Sequence, residues 1–206
     1  MNTPLYPPQY CGPASYYASM ARHEAVCIAD GLRYDKRFKS THRCTIPGNH
    51  GLITLTVPTV KPHRADARWD DVVVSDHGAW WSEHLTALES TYGRTPYFEF
   101  YVDDFRQIIG PQAAGRRLTD FDGDLDRLIR RLLGLPTEVR HSAEATHLDS
   151  LCDHTPDLSI KRYWQVRPTE QAATGQISVL DILFCLGPEA LPLLLDAKAS
   201  PLLTTE

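Results

Sequence analysis

Between Asp30 and Arg43 the chain gathers groups that suit the binding of an anion: Asp30, Tyr34, Lys36, Arg37, Phe38, His42 and Arg43, directly after the apolar run Ala25–Ala29. A guanidinium grips a phosphate or carboxylate through two parallel hydrogen bonds, and a lysine adds a mobile point charge. Lys36, Arg37 and Arg43 are therefore candidates for holding an anionic small molecule, with the Tyr34 ring free to stack on a sugar or nucleobase. Asp30, at the end of the apolar run, can orient Arg43 or accept a proton. A loop at a strand end is a common place for such groups. The structural alternative is a surface hairpin laced with ordinary ion pairs.

Three further positions carry chemistry. His84 follows Trp81 by one helical turn, so both share a face. An imidazole titrates near neutrality and is the default general base if it faces a cleft, or a hydrogen-bonded structural group if it faces the core. Asp181 is a lone carboxylate between Val179-Leu180 and Ile182-Leu183-Phe184, and burial obliges it to meet a cation (an arginine of the first group) or backbone donors. Cys11 lies in Gln9-Tyr10-Cys11-Gly12-Pro13-Ala14-Ser15, which resembles the nucleophile segment of papain-like C39 peptidases. A helix N-terminus stabilises a thiolate, and an upstream Gln can donate to an oxyanion. Such a triad needs a downstream histidine; His50 is close in sequence and His141 has little supporting context.

Metal motifs are weak. The five cysteines (Cys11, Cys27, Cys44, Cys152, Cys185) include no C-x-x-C pair, and neither His141/His147 nor His147/His154 has helical ligand spacing. Asp103-Asp104 point in different directions on a helix. Asp120, Asp122, Asp124 and Asp126 surround Gly123, but Arg131 stands where an EF-hand loop needs its closing Glu. Acids in the first turns of a helix complement its dipole and account for this run. No metal and no cofactor are expected.

Composition narrows the class. At 206 residues one domain is the default, spanning 1–206. A net charge of −5 and a pI near 6.0 disfavour a general nucleic-acid or membrane-surface binder. No apolar run is long enough to span a bilayer, and Met1–Tyr10 has no secretory pattern, so cytoplasmic residence is expected.

These residues must be positioned by a mixture of elements. Gly12–Arg22 reads as a helix and Ala25–Ala29 as a buried strand. His42–Ile46 and Gly51–Val57 read as a hairpin turning at Pro47-Gly48-Asn49-His50, with a short strand at Val72–Val74. Helical spacing marks Ala79–Tyr92, a segment starting at Pro96, and Leu118–Leu133, where Gly134 supplies a C-terminal cap. Glu138–His141 is a candidate strand, 147–169 is irregular, and helices close the chain at Val179–Leu186 and Pro188–Asp196. The expected fold is mixed α/β in one compact domain: a small central sheet with hairpin strands in the N-terminal half, and packed helices in the C-terminal half.

Four blocks resemble the WbqC-like protein family: Tyr10–Met20; Asp30–Arg43 with Leu55-Thr56-Val57-Pro58; Trp81, His84, Tyr92, Pro96 and Phe98; and Ser178-Val179-Leu180-Asp181 with Phe184, Gly187 and Pro188. Gly12-Pro13 and Cys185 depart from the pattern, which has a double proline in the first block and often Asn in the last helix. The resemblance runs to about Asp196. Members of the family occur in polysaccharide and O-antigen gene clusters, which implies a bacterial role in making or decorating surface sugars. The expected function is a transferase moving an acyl or aminoacyl group onto an activated sugar. In that reading His84 and Asp30 are catalytic, and Tyr34, Lys36, Arg37, Arg43 and Tyr10 bind a nucleotide sugar or acyl donor. A non-catalytic binding or assembly factor using the same residues is the alternative. A cysteine peptidase or amidase built on Cys11 is the third.

Overall fold

The computed structural model describes residues 3–35, 38–60, 62, 66–142, 144 and 158–199. Lys36, Arg37, Cys152, His147 and His154 lie outside the described residues. The N-terminal half contains β1 (Leu5–Tyr6), α1 (Ala14–Met20), β2 (Ala25–Ile28), β3 (Arg43–Gly48), β4 (Gly51–Thr56), β5 (Thr59–Val60), β6 (Val73–Val74) and α2 (Trp80–Tyr92). Beyond it lie α3 (Phe98–Ile108), α4 (Leu118–Leu133), β7 (Glu138–His141), β8 (Leu158–Ser159), α5 (Glu170–Ala173), α6 (Leu180–Leu186), α7 (Ala190–Leu195) and β9 (Lys198–Ala199).

The mixed α/β expectation holds, with small sheets among packed helices. The expected hairpin is β3–β4, paired antiparallel with Arg43 opposite Thr56 and Gly48 opposite Gly51. Pairing runs through Pro47, so only Asn49-His50 form the turn, and Gly51 takes the positive φ of +123° that closes it. A separate parallel sheet, ordered β1–β2–β7, brings the ends of β2 and β7 together, with Ile28 opposite His141.

Apolar side chains at helical spacing drive α2, α3 and α4 onto one another. Phe184 of α6 sits among the rings of Tyr92, Phe98 and Phe105, at centroid distances of 5.1, 5.2 and 5.6 Å. Gly134 ends α4 in the left-handed conformation (φ 68°), where its N–H meets the carbonyls of Arg130 and Arg131. At the other end of this core Phe121 of α4 stacks on Tyr10 and meets Trp80 edge-on. The segment after β1 is thereby fixed against α2 and α4. Among the described residues no helix is long and apolar enough to cross a membrane.

Candidate functional site

The geometry of the site begins with the turn Tyr10-Cys11, which leads from β1 into α1. Three separate segments hold it directly, and a fourth braces it through His84. The Tyr10 N–H donates to the Ser40 carbonyl at 3.0 Å, and the Tyr10 hydroxyl meets Nδ1 of His84 on α2 at 2.8 Å. His84 also hydrogen-bonds the Thr56 carbonyl at the end of β4. The Ser178 hydroxyl donates to the Cys11 carbonyl at 2.7 Å, and the Val179 N–H donates to the Gly12 carbonyl at 3.0 Å. Cys11 itself adopts a left-handed φ of 43°, unusual for a residue with a Cβ. The four sequence blocks thus converge on one turn.

Beside this turn lies a pocket of about 320 Å³. Cys11, Gly12 and Pro13 form one wall. Lys39, Ser40, Arg43, Cys44, Thr45 and Thr54 come from the opposite side, and Gln176 and Ser178 complete it. Thr45 and Thr54 are cross-strand partners, and Arg43 lies two residues from Thr45, so all three project from one face of the hairpin. Among the described residues the lining offers two cations, several hydroxyls and an amide, with no carboxylate. The Arg43 Nε is buried and, among the described residues, has no hydrogen-bond partner. A buried guanidinium N–H left unpaired costs free energy, and an anion entering this pocket supplies the missing acceptor.

The predicted residues separate. Arg43 and Cys11 share the pocket, while Tyr10 and His84 lie buried outside its lining. His84 is 3% exposed, and burial lowers its pKa to about 4. With both ring nitrogens engaged by Tyr10 and Thr56, it is a neutral strut that fixes the Tyr10 turn. Asp30 does not reach Arg43; its Oδ2 contacts Nδ1 of His141 at 2.9 Å, and that contact raises the His141 pKa. Tyr34 donates its N–H to the Ala67 carbonyl and packs edge-on against Trp69 at 4.7 Å. Its ring is half-buried there.

Cys11 faces a second thiol. A hydrogen bond with Cys44, together with burial, raises the Cys11 pKa well above the ordinary thiol range, so the thiol stays protonated. Among the described residues no histidine hydrogen-bonds it. Asp181 meets the Tyr163 hydroxyl and the Gln165 side-chain amide, with Tyr92 alongside; the expected arginine is not its partner. Burial still raises its pKa. Tyr163 and Gln165 fall in a stretch read as irregular, and the period-two alternation of Tyr163, Gln165 and Arg167 was the available signal. Lys39, Ser40, Cys44 and Ser178 were also not singled out as lining residues, because only the folded turn brings their segments together.

A mixed α/β protein with a cationic pocket, free of acids among its described residues, beside a multiply braced turn is thus the class this site defines. The chain matches the model of the WbqC-like protein family over residues 7–176, and it belongs to that family. The match ends just before Ser178, so the last of the four blocks lies outside it. No match was found among curated proteins or solved structures.

Proposed function

We propose that this protein is a transferase that holds the anionic part of an activated donor in the Arg43 pocket and passes an acyl or aminoacyl group to an activated sugar. The observation that carries the binding half is the unpartnered, buried Arg43 Nε in a pocket lined by cations and hydroxyls. Lys39 adds a second positive charge, and Lys36 and Arg37, joined to it through Phe38, extend the basic segment. The Tyr10–His84 strut keeps the Cys11 turn, one wall of the pocket, in place. The family resemblance supports a place in bacterial surface-polysaccharide or O-antigen synthesis. Activated sugars are made in the cytoplasm, and we place the protein there.

One observation favours a second reading. Among the described residues the pocket lining contains no imidazole and no carboxylate to move a proton. A binding or assembly factor that carries the donor without turning it over fits that lining. A cysteine hydrolase fits less well, since the Cys11 thiol is protonated and its contact is another thiol.

A thermal-shift panel of UDP-glucose, acetyl-CoA and free amino acids, on wild type and Arg43→Ala, tests the proposal. Ligand at a hundred times its dissociation constant adds about 2.7 kcal/mol of apparent stability. The expected result is a shift with one phosphate-bearing donor, lost in Arg43→Ala. Turnover of that donor with a sugar acceptor separates the transferase from the binding factor. No shift with any phosphate-bearing compound overturns both.

A further inference from the structure

Two free thiols, Cys11 and Cys44, line the Arg43 pocket, and they hydrogen-bond one another. The backbone around them imposes this contact. The Ser178 hydroxyl donates to the Cys11 carbonyl, and the Ser178 N–H donates at 2.8 Å to the carbonyl of Thr45, next to Cys44. Tyr10, on the other flank of Cys11, is tied to Ser40, and Cys44 is held in register opposite Leu55. One serine thus clamps the turn before α1 against β3. The remaining described cysteines contact backbone instead: Cys27 the neighbouring Ile28 carbonyl, and Cys185 the Val166 backbone.

A disulfide forms where the fold already holds two sulfurs side by side, since the bond brings them to about 2 Å. We propose that Cys11 and Cys44 are a reversible redox pair, joined as a disulfide by a hydroperoxide and released by a dithiol. Disulfides of cytosolic proteins are mostly of this transient kind.

Hydrogen peroxide is small enough to enter the pocket, and the electrons balance. Cys44 is the more exposed thiol, at 6% against 1% for Cys11. Its sulfur attacks one peroxide oxygen, the O–O bond breaks, and a sulfenic acid forms with loss of one water. The Cys11 sulfur then attacks the sulfenyl sulfur, the S–O bond breaks, and the departing hydroxide leaves with the Cys11 proton as a second water. Two thiols lose two electrons and one peroxide gains them. Burial and the bond to Cys44 keep the Cys11 thiol protonated, which holds the pair reduced until Cys44 is oxidised and that bond is gone. The disulfide pulls the turn onto β3 between Arg43 and Thr45, so it reshapes the pocket wall. An effect on anion binding rests on the function proposed above; the bond itself does not.

The test uses the full chain, reduced, freed of reductant and titrated with hydrogen peroxide. Remaining thiols are alkylated, the chain is digested without reduction, and the peptides are weighed. The expected product is a Cys11–Cys44 cross-linked peptide pair that dithiothreitol separates. It should be absent from Cys44→Ser and retained in Cys27→Ser. If Cys44→Ser does not fold, Cys11→Ser decides. Pyrophosphate should bind the oxidised chain about threefold or more weakly than the reduced one, with no effect of peroxide in Cys44→Ser. Absence of pyrophosphate binding to the reduced chain would contradict the functional reading, and the peptide map would still decide the redox pair. Thiols that stay free, a Cys44 that goes to sulfinic acid without a cross-link, or a cross-link to Cys27 or Cys152 instead overturns the proposal.

Discussion

The two sides of the Tyr10 turn differ in the polar groups they bury. Cys11 to Pro13 face a pocket with Arg43 and Lys39 and, among the described residues, no acid; Gln9 lines a small cavity with Asp122, Asp126 and His141. Asp181 supplies the contrast. It is as buried as Asp122, yet Tyr163 and Gln165 donate to it. A buried charge whose partners are built into the fold holds the fold together. A buried polar group whose partner is missing points to a ligand.

Several substitutions can break or sharpen this contrast. The largest expected effect is on anion binding. Arg43→Ala should weaken it by about thirtyfold or more, the usual consequence of removing one member of a buried charge pair. Its melting temperature should hardly change, because among the described residues the buried Nε holds no partner that the substitution would strand. An unstable Arg43→Ala protein would instead make Arg43 structural, like Asp181.

The next effect is on pH dependence. His84 has a folded-state pKa of about 4 against an ordinary value of 6.5. The unfolded chain therefore takes up the proton first. This contribution to stability is complete above pH 6.5 and is lost as pH falls towards 4, by up to about 3 kcal/mol. Denaturant titrations across that range should show a steep decline in wild type and a shallower one in His84→Gln. His141, raised by Asp30, acts in the opposite sense, favouring the fold at low pH and losing that effect as pH rises.

Asp122→Asn should stabilise the protein by about 1–2 kcal/mol at neutral pH, because burial pushes the Asp122 carboxyl well above the ordinary carboxylate range and, among the described residues, no donor meets it. The equivalent change at Asp181, where donors are in place, should destabilise it. The smallest effect is expected for Cys11→Ala. Stability should change by about 1 kcal/mol or less and anion affinity by less than about threefold. Complete loss of a measured turnover in that variant would restore the thiol to the centre of the chemistry.

Local pattern explains how much was legible. The stripe of Leu125, Leu128, Ile129 and Leu132 announces α4, and Asn49-His50 between β-branched runs announces the hairpin. The parallel sheet was not legible as a pairing, because β1 is two residues long and its partner β7 begins at Glu138. The same limit applies at the site. Arg43 and Cys11 were each recognised by type, but nothing local places them across one pocket. Asp30 and Arg43 look like neighbours in sequence, yet one ends a strand of the parallel sheet and the other begins the hairpin, so their side chains diverge. His84 was readable as either base or strut, and only its bonds to Tyr10 and Thr56 decide for the strut.

Calorimetric titration of inorganic pyrophosphate into wild type, Arg43→Lys and Arg43→Ala tests the anion pocket most directly. Binding should be measurable in wild type, at least tenfold weaker in Arg43→Lys, which keeps the charge but loses the fork, and undetectable in Arg43→Ala. Equal affinity in wild type and Arg43→Ala, with both proteins folded, would contradict the assignment of this pocket.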